Sequence, residues 1–135
     1  VTVIDTSAAV DFLVGEEAAE AVGALFAQER MLAAPDVLVF EVLAVFRRHV
    51  RRGSISPERA TGAIEDLGDL AVEIFPALPL RARAWDLREN FTAADALFVA
   101  LAERLDEPIA TKDRSLASAA REHAGIGTIE LVEGS

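Results

Sequence analysis

Four carboxylates occupy positions from which a folded chain could do metal-assisted chemistry. Asp5 directly follows the apolar run VTVI (1–4). Glu41 interrupts the apolar stretch DVLVFEVLAVFRRHVRR (36–52). Asp95 falls in TAADALFVALAERL, which begins at 92, and Asp113 comes just after PIAT (108–111). Each also has a simple structural reading. An acid after a strand is a common turn or helix-cap residue, which covers Asp5, and Asp113 would cap a helix starting near Ser115. Thr92 and Asp95 have capping-box spacing, with Asp in place of the usual Glu. For Glu41 the simple reading is a helix-edge residue facing water, and its surroundings speak against it. Its helical neighbours, Val37, Leu38, Ala44 and Val45, include no base, and a partly buried carboxylate without a partner is costly. A divalent cation would compensate it. Clustered carboxylates repel one another, which raises some of their pKa values until a cation relieves them.

The composition narrows the choice of cation. There is no cysteine, so disulfides and thiolate sites are excluded and a reducing, cytoplasmic setting fits. The donors that remain are carboxylates, hydroxyls and two histidines, which favours a hard ion such as Mg²⁺ or Mn²⁺. His49 and His123 have no partner at metal-ligand spacing and read as surface residues. Ser7 and Thr111 are short hydroxyls beside the acids, suited to supporting them or to touching a phosphate.

The net charge of −10 means that the overall field does not attract nucleic acid. A polyanionic substrate would need a local basic patch, a metal, or both. Arg47, Arg48, Arg51 and Arg52 cluster at the end of the 36–52 segment, where they either hold phosphates or simply complement a helix C-terminus. Lys112 and Arg114 flank Asp113 and lie closer to the presumed chemistry. Trp85 and Phe91 read as core residues rather than base-stacking platforms.

The elements that must position these groups alternate along the chain. Apolar runs at 1–4, 31–34, 72–75, 108–111 and 128–132 read as strands, the second ended by Pro35. Helical patterns fall at 7–15, with Ser7 as cap candidate and Gly15 as stop, and at 16–30, with acids in the first turn and Arg at the end. Others fall at 36–52, 56–70 (Ser56 cap, Pro57 first), 80–90, 92–105 and 115–125. This alternation predicts an α/β fold, a three-layer α/β/α sandwich around a short parallel β-sheet, as a single domain over 1–135. Ligand sites in such sheets lie beyond the carboxyl ends of the strands. No run is long enough to span a membrane, and VTVIDTSAAV lacks the basic start of a signal peptide.

Over nearly its whole length the chain resembles the PIN-domain ribonucleases, specifically VapC-type toxins of toxin–antitoxin pairs. VIDTSAAV matches the family's opening strand-Asp-x-Ser at Asp5 and Ser7. PDVLVFEVLAVFRR matches the helix that carries Glu41, and FTAADALFVALAERL places the third acid at Asp95. PIATKDRSL matches the strand-Thr-x-Asp segment at Thr111 and Asp113. The resemblance implies a PIN-like sandwich and Mg²⁺- or Mn²⁺-dependent cleavage of RNA. It assigns catalysis and metal binding to Asp5, Glu41, Asp95 and Asp113, with Asp5 and Asp95 as the principal ligands. It also implies inhibition by a VapB-like antitoxin, and a homodimer. A haloacid-dehalogenase-type site would need Asp-x-Asp where this chain has Asp5-Thr6-Ser7, and a receiver domain would need an acceptor Asp near VEIFPALPL. A noncatalytic module that keeps the fold is the remaining alternative.

Overall fold

A computed structural model describes residues 1–15, 19–28 and 31–131. Its five strands are β1 (Thr2–Ile4), β2 (Leu32–Pro35), β3 (Val72–Phe75), β4 (Ile109–Thr111) and β5 (Thr128–Glu130). They form one parallel sheet in the order β3-β2-β1-β4-β5. The helices are α1 (Thr6–Val14), α2 (Ala19–Ala27), α3 (Val37–Arg52), α4 (Pro57–Leu67), α5 (Arg81–Asp86), α6 (Ala93–Leu105) and α7 (Arg114–Ala124). One group, α1 to α4, packs around α1, and a second group has α6 between α5 and α7. The α/β/α sandwich expected from the alternation is the fold observed.

The sheet order decides where a site can form. The chain lays β1, β2 and β3 outward on one side, then returns to place β4 on the other side of β1. Crevices open at such a reversal, beyond the carboxyl ends of the two strands. Val3 pairs with Ile109 and Ile4 with Ala110, so Asp5 and Thr111 come next at the same level. β1, β2 and β4 are buried throughout, which is why they read as unbroken apolar runs.

The helices are fixed by local chemistry. In α3, Leu38, Val42 and Phe46 form the buried stripe. Gly53 and Gly15 adopt the left-handed conformation that ends α3 and α1, at φ 75° and 69°. α6 is buried at Ala96 and from Phe98 to Ala102, its small residues allowing close approach to β1 and β2.

Several boundaries differ from the sequence expectation. Asp5, not Ser7, caps α1 and takes its first free N–H, from Ala8, so the helix begins at Thr6. Pro35 does not end β2 but belongs to it, paired with Phe75; the ladder continues through the Asp36 N–H donated to the Phe75 carbonyl. The segment 80–90 is not one helix. Pro79 sits in a 3₁₀ turn at Leu78–Leu80, α5 spans only six residues, and i→i−3 bonds close the chain at Leu87 and Arg88. Of the 16–30 helix, Ala19–Ala27 is described; the acids expected in its first turn and Arg30 lie outside the described residues. Val22 and Leu25 are buried there, and Phe26 packs on Phe12 with ring centroids 5.1 Å apart. Phe91 is in the core, but Trp85 is 67% exposed with the Arg88 guanidinium 4.6 Å above its ring. Stacking of the Arg88 guanidinium covers one face of the exposed indole.

Candidate active site

The carboxyl edge of β1 and β4 gathers the acids. Asp5 is almost fully buried and its carboxylate is held from three sides. Oδ1 accepts from the Ser7 hydroxyl at 2.8 Å and the Ala8 N–H at 3.0 Å, and Oδ2 accepts from the Thr111 hydroxyl. Thr111, itself fully buried, also accepts the Asp113 N–H at 3.0 Å. One hydroxyl therefore ties the end of β1 to the loop that carries Asp113. Replacing Thr111 with Val keeps the shape but removes both bonds. The expected result is roughly tenfold weaker Mn²⁺ binding by calorimetry; unchanged binding would mean that Thr111 does not support the site.

Asp113 caps α7, its Oδ1 accepting from the Ser115 and Leu116 N–H groups at 2.9 and 3.2 Å. The structural reading of this residue is thus correct, and it uses only one oxygen. Thr92 caps α6 by accepting the Asp95 N–H at 3.2 Å, which sets Asp95 in the first turn. Glu41, partly buried on α3, accepts from the Thr6 hydroxyl at 3.3 Å. Three of the four acids therefore stand at helix starts, those of α1, α6 and α7. Helix N-termini carry partial positive charge, so the backbone offsets part of the repulsion without any basic side chain.

The acids share one electrostatic field. Burial pushes the Asp95 carboxyl above its ordinary range; the Thr92 hydroxyl opposes this, and the charges of Asp5, Asp113 and Glu41 add to it. Burial also raises Asp5, against the hydrogen bonds from Thr111, Ala8 and Ser7, with Asp113 adding repulsion. Carboxylates with hydroxyl neighbours are hard-cation donors. Among the described residues no three acids or histidines are drawn together tightly enough to cage an ion. Mg²⁺ does not need a cage, since it is commonly held through one or two carboxylates and keeps its waters.

Sequence reasoning missed two residues here. Thr6 supports Glu41, and only the fold brings them together across 35 positions. Asp11 is a buried acid in AAVDFLV, and its carboxylate meets the Lys112 ammonium at 2.8 Å. The argument applied to Glu41, an acid interrupting an apolar helix, would have found it. Lys112 thus reaches back to α1, and Arg114 opens α7 on the exposed surface. His49 is partly exposed, its Nδ1 2.9 Å from the Ser54 hydroxyl, and His123 is exposed with its ring edge on Phe91.

A family model described as PIN domain matches residues 2–122. The chain belongs to the PIN-domain family. This PIN domain is 41% identical over 118 residues to Ribonuclease VapC1 of Mycobacterium tuberculosis, covering 87% of this chain and 89% of that protein. It is 35% identical over 130 residues to Ribonuclease VapC12 of the same species, covering 96% and 98%. Among solved structures it resembles PAE2754 from Pyrobaculum aerophilum, with a TM-score of 0.73 and 20% identity over 96% of this chain and 83% of that one. At that identity the likeness shows the PIN fold.

Proposed function

We propose that this chain is a divalent-metal-dependent endoribonuclease acting as the toxin of a toxin–antitoxin pair. The observation that carries the reading is the β1–β4 switch-point edge, where the Thr111 hydroxyl joins buried Asp5 to the loop of Asp113; the charges of Asp5, Asp113 and Glu41, added to burial, also reach Asp95. The ribonuclease names of its relatives support it.

In this reading Asp5 and Asp95 hold Mg²⁺ or Mn²⁺, directly or through water, and Glu41 and Asp113 complete the acidic ring. The ion, when bound, supplies a water of lowered pKa and neutralises charge on the scissile phosphate. Asp5 is oriented by Ser7, Ala8 and Thr111, so that it need not reorganise during reaction. Glu41 and Asp113 would orient the attacking water, the Thr6 hydroxyl donating to Glu41. In-line attack leaves a 5′-phosphate and a 3′-hydroxyl. The partner is a VapB-like antitoxin, and the setting is the cytoplasm.

The domain is proposed to work as a homodimer. Val39, Phe40 and Leu43 on α3 are exposed, as are Ile74, Leu78 and Trp85. Asp36 ties the start of α3, which carries the first three, to the turn after β3 by accepting the Ala77 N–H at 3.2 Å. Exposed apolar patches of this kind mark interaction surfaces.

The test uses the purified chain on structured RNAs. Cleavage is expected in Mn²⁺, stopped by a chelator, with 5′-phosphate ends and suppressed by the protein of an adjacent short reading frame. Light scattering on the same preparation should give twice the chain mass. Metal-independent cleavage, or RNA bound but never cut across a broad panel, would sink the nuclease reading in favour of a binding module.

A further inference from the structure

Two cavities of about 340 Å³ each lie side by side along α1 and α3 and share Val10, Asp11, His49 and Lys112. The nearer one begins at Thr6, Ser7 and Glu41, so it opens from the acidic centre itself. The farther one ends at Arg59 on α4, whose guanidinium donates to the Val14 carbonyl. Together they make one groove leading away from the carboxylates.

Its cations are arranged by helix geometry. Glu41, Ala44, Val45, Arg48 and His49 line the groove from α3, at spacings of three, four, seven and eight residues. These positions form a single helix face, on which Arg48 lies about 10 Å beyond Glu41. Arg47, Arg51 and Arg52, exposed like Arg48, do not line the groove. The cluster of arginines that looks uniform in sequence is therefore divided by the fold. Lys112 is largely neutralised by Asp11 at 2.8 Å, so the groove's positive potential comes from Arg48 and Arg59.

We propose that this groove binds the phosphates of the single RNA strand flanking the scissile bond, with Arg48 and Arg59 as the phosphate contacts and the Asp11–Lys112 pair as the fixed floor between them. The proposal rests on the ribonuclease reading and gives it a direction: the strand leaves the acidic centre between α1 and α3. With a net charge of −10, a polyanion can be held only where cations are concentrated locally. Direct continuity with Glu41 favours the substrate over a protein partner as the occupant.

The test measures binding of a labelled single-stranded RNA by anisotropy, in Mg²⁺ and the cleavage-silent Asp5→Asn background, across a salt series. Arg48→Ala/Arg59→Ala is expected to weaken binding about tenfold and to reduce the slope of log affinity against log salt by about 1.4, roughly 0.7 per lost phosphate contact. Arg47→Ala/Arg104→Ala removes the same charge outside the groove, Arg104 lying at the far end of α6 from Asp95, and should leave that slope nearly unchanged. Equal effects of the two pairs, or none from the first, would overturn the groove assignment while wild-type cleavage in Mn²⁺ left the nuclease reading standing. Unchanged RNA binding with lost affinity for the antitoxin would overturn it too, and give the groove to the protein partner. Failure of the parent both to bind and to cut RNA would overturn both readings.

Discussion

Replacing Asp5 with Asn is expected to lower RNA cleavage in Mn²⁺ by on the order of a thousandfold, equivalent to about 4 kcal/mol of lost transition-state stabilisation. The substitution removes one negative charge from the most buried acid of the site and, at Oδ2, replaces the acceptor of the Thr111 hydroxyl with an amide NH₂. An Asn side-chain oxygen can still accept from the Ser7 hydroxyl and the Ala8 N–H, and Asn is as good a cap as Asp. The melting temperature should therefore fall only modestly, by the one buried hydrogen bond lost at Thr111, worth about 1 kcal/mol. Asp5→Ala is a poorer probe, because it also removes the cap of α1, which costs about 1 kcal/mol. The measurement is kcat/KM on one RNA together with a thermal melt. Equal rates for Asp5→Asn and wild type would remove Asp5 from the chemistry.

Asp95→Asn should separate activity from stability, with opposite signs. Cleavage falls as it does for Asp5→Asn, yet the variant in a chelator should melt a few degrees higher than wild type at neutral pH. The reason is electrostatic. Burial and the charges of Asp5, Asp113 and Glu41 raise the Asp95 carboxyl in the folded protein, and burial raises Asp5. Both groups hold protons in the folded state at pH values where the unfolded chain, with ordinary carboxylates near pH 4, has released them. The folded state binds more protons in that window, so stability falls as pH rises through it and stays lowered above it. The metal-free wild type should lose stability upward from about pH 4, and Asp95→Asn should lose less. Mn²⁺ should restore the wild type, more strongly at higher pH. The Thr92 hydroxyl accepts the backbone N–H of residue 95, so that cap survives the change. Parallel melting curves against pH, or a variant that melts lower at pH 7, would contradict this account.

Much of this could be read before any coordinates. The alternation of strand and helix follows from β-branched runs and from Gly15, Gly53, Ser56 and Thr92 acting as stops and caps, because these signals are local. The acids were visible as types and positions. That Asp5 and Asp113 share an edge followed only if their strands were parallel neighbours, a long-range choice that the pairing of β4 with β1 settles. Trp85 was misplaced because an indole is usually buried, whereas here it lies exposed under the Arg88 guanidinium, a pairing of neighbours on one surface that composition does not announce. Lys112 looked like a substrate contact by its position beside Asp113, and only the fold shows its ammonium on Asp11. The roles of caps were the most legible and the least decisive. Asp5 and Asp113 are caps and site acids together, so confirming one role says nothing against the other.

That double duty bears on how the chain can change over generations. A single base transition turns an Asp codon into an Asn codon. At Asp5 and Asp113 the carboxamide oxygen keeps the cap bonds to Ala8, Ser115 and Leu116, and at Asp95 the cap belongs to Thr92. The smallest genetic step that discharges the site is thus also among the gentlest for the fold. Such a copy would still be made, still fold and still present its surfaces to partners, so silencing by this route leaves a folded decoy rather than a missing protein.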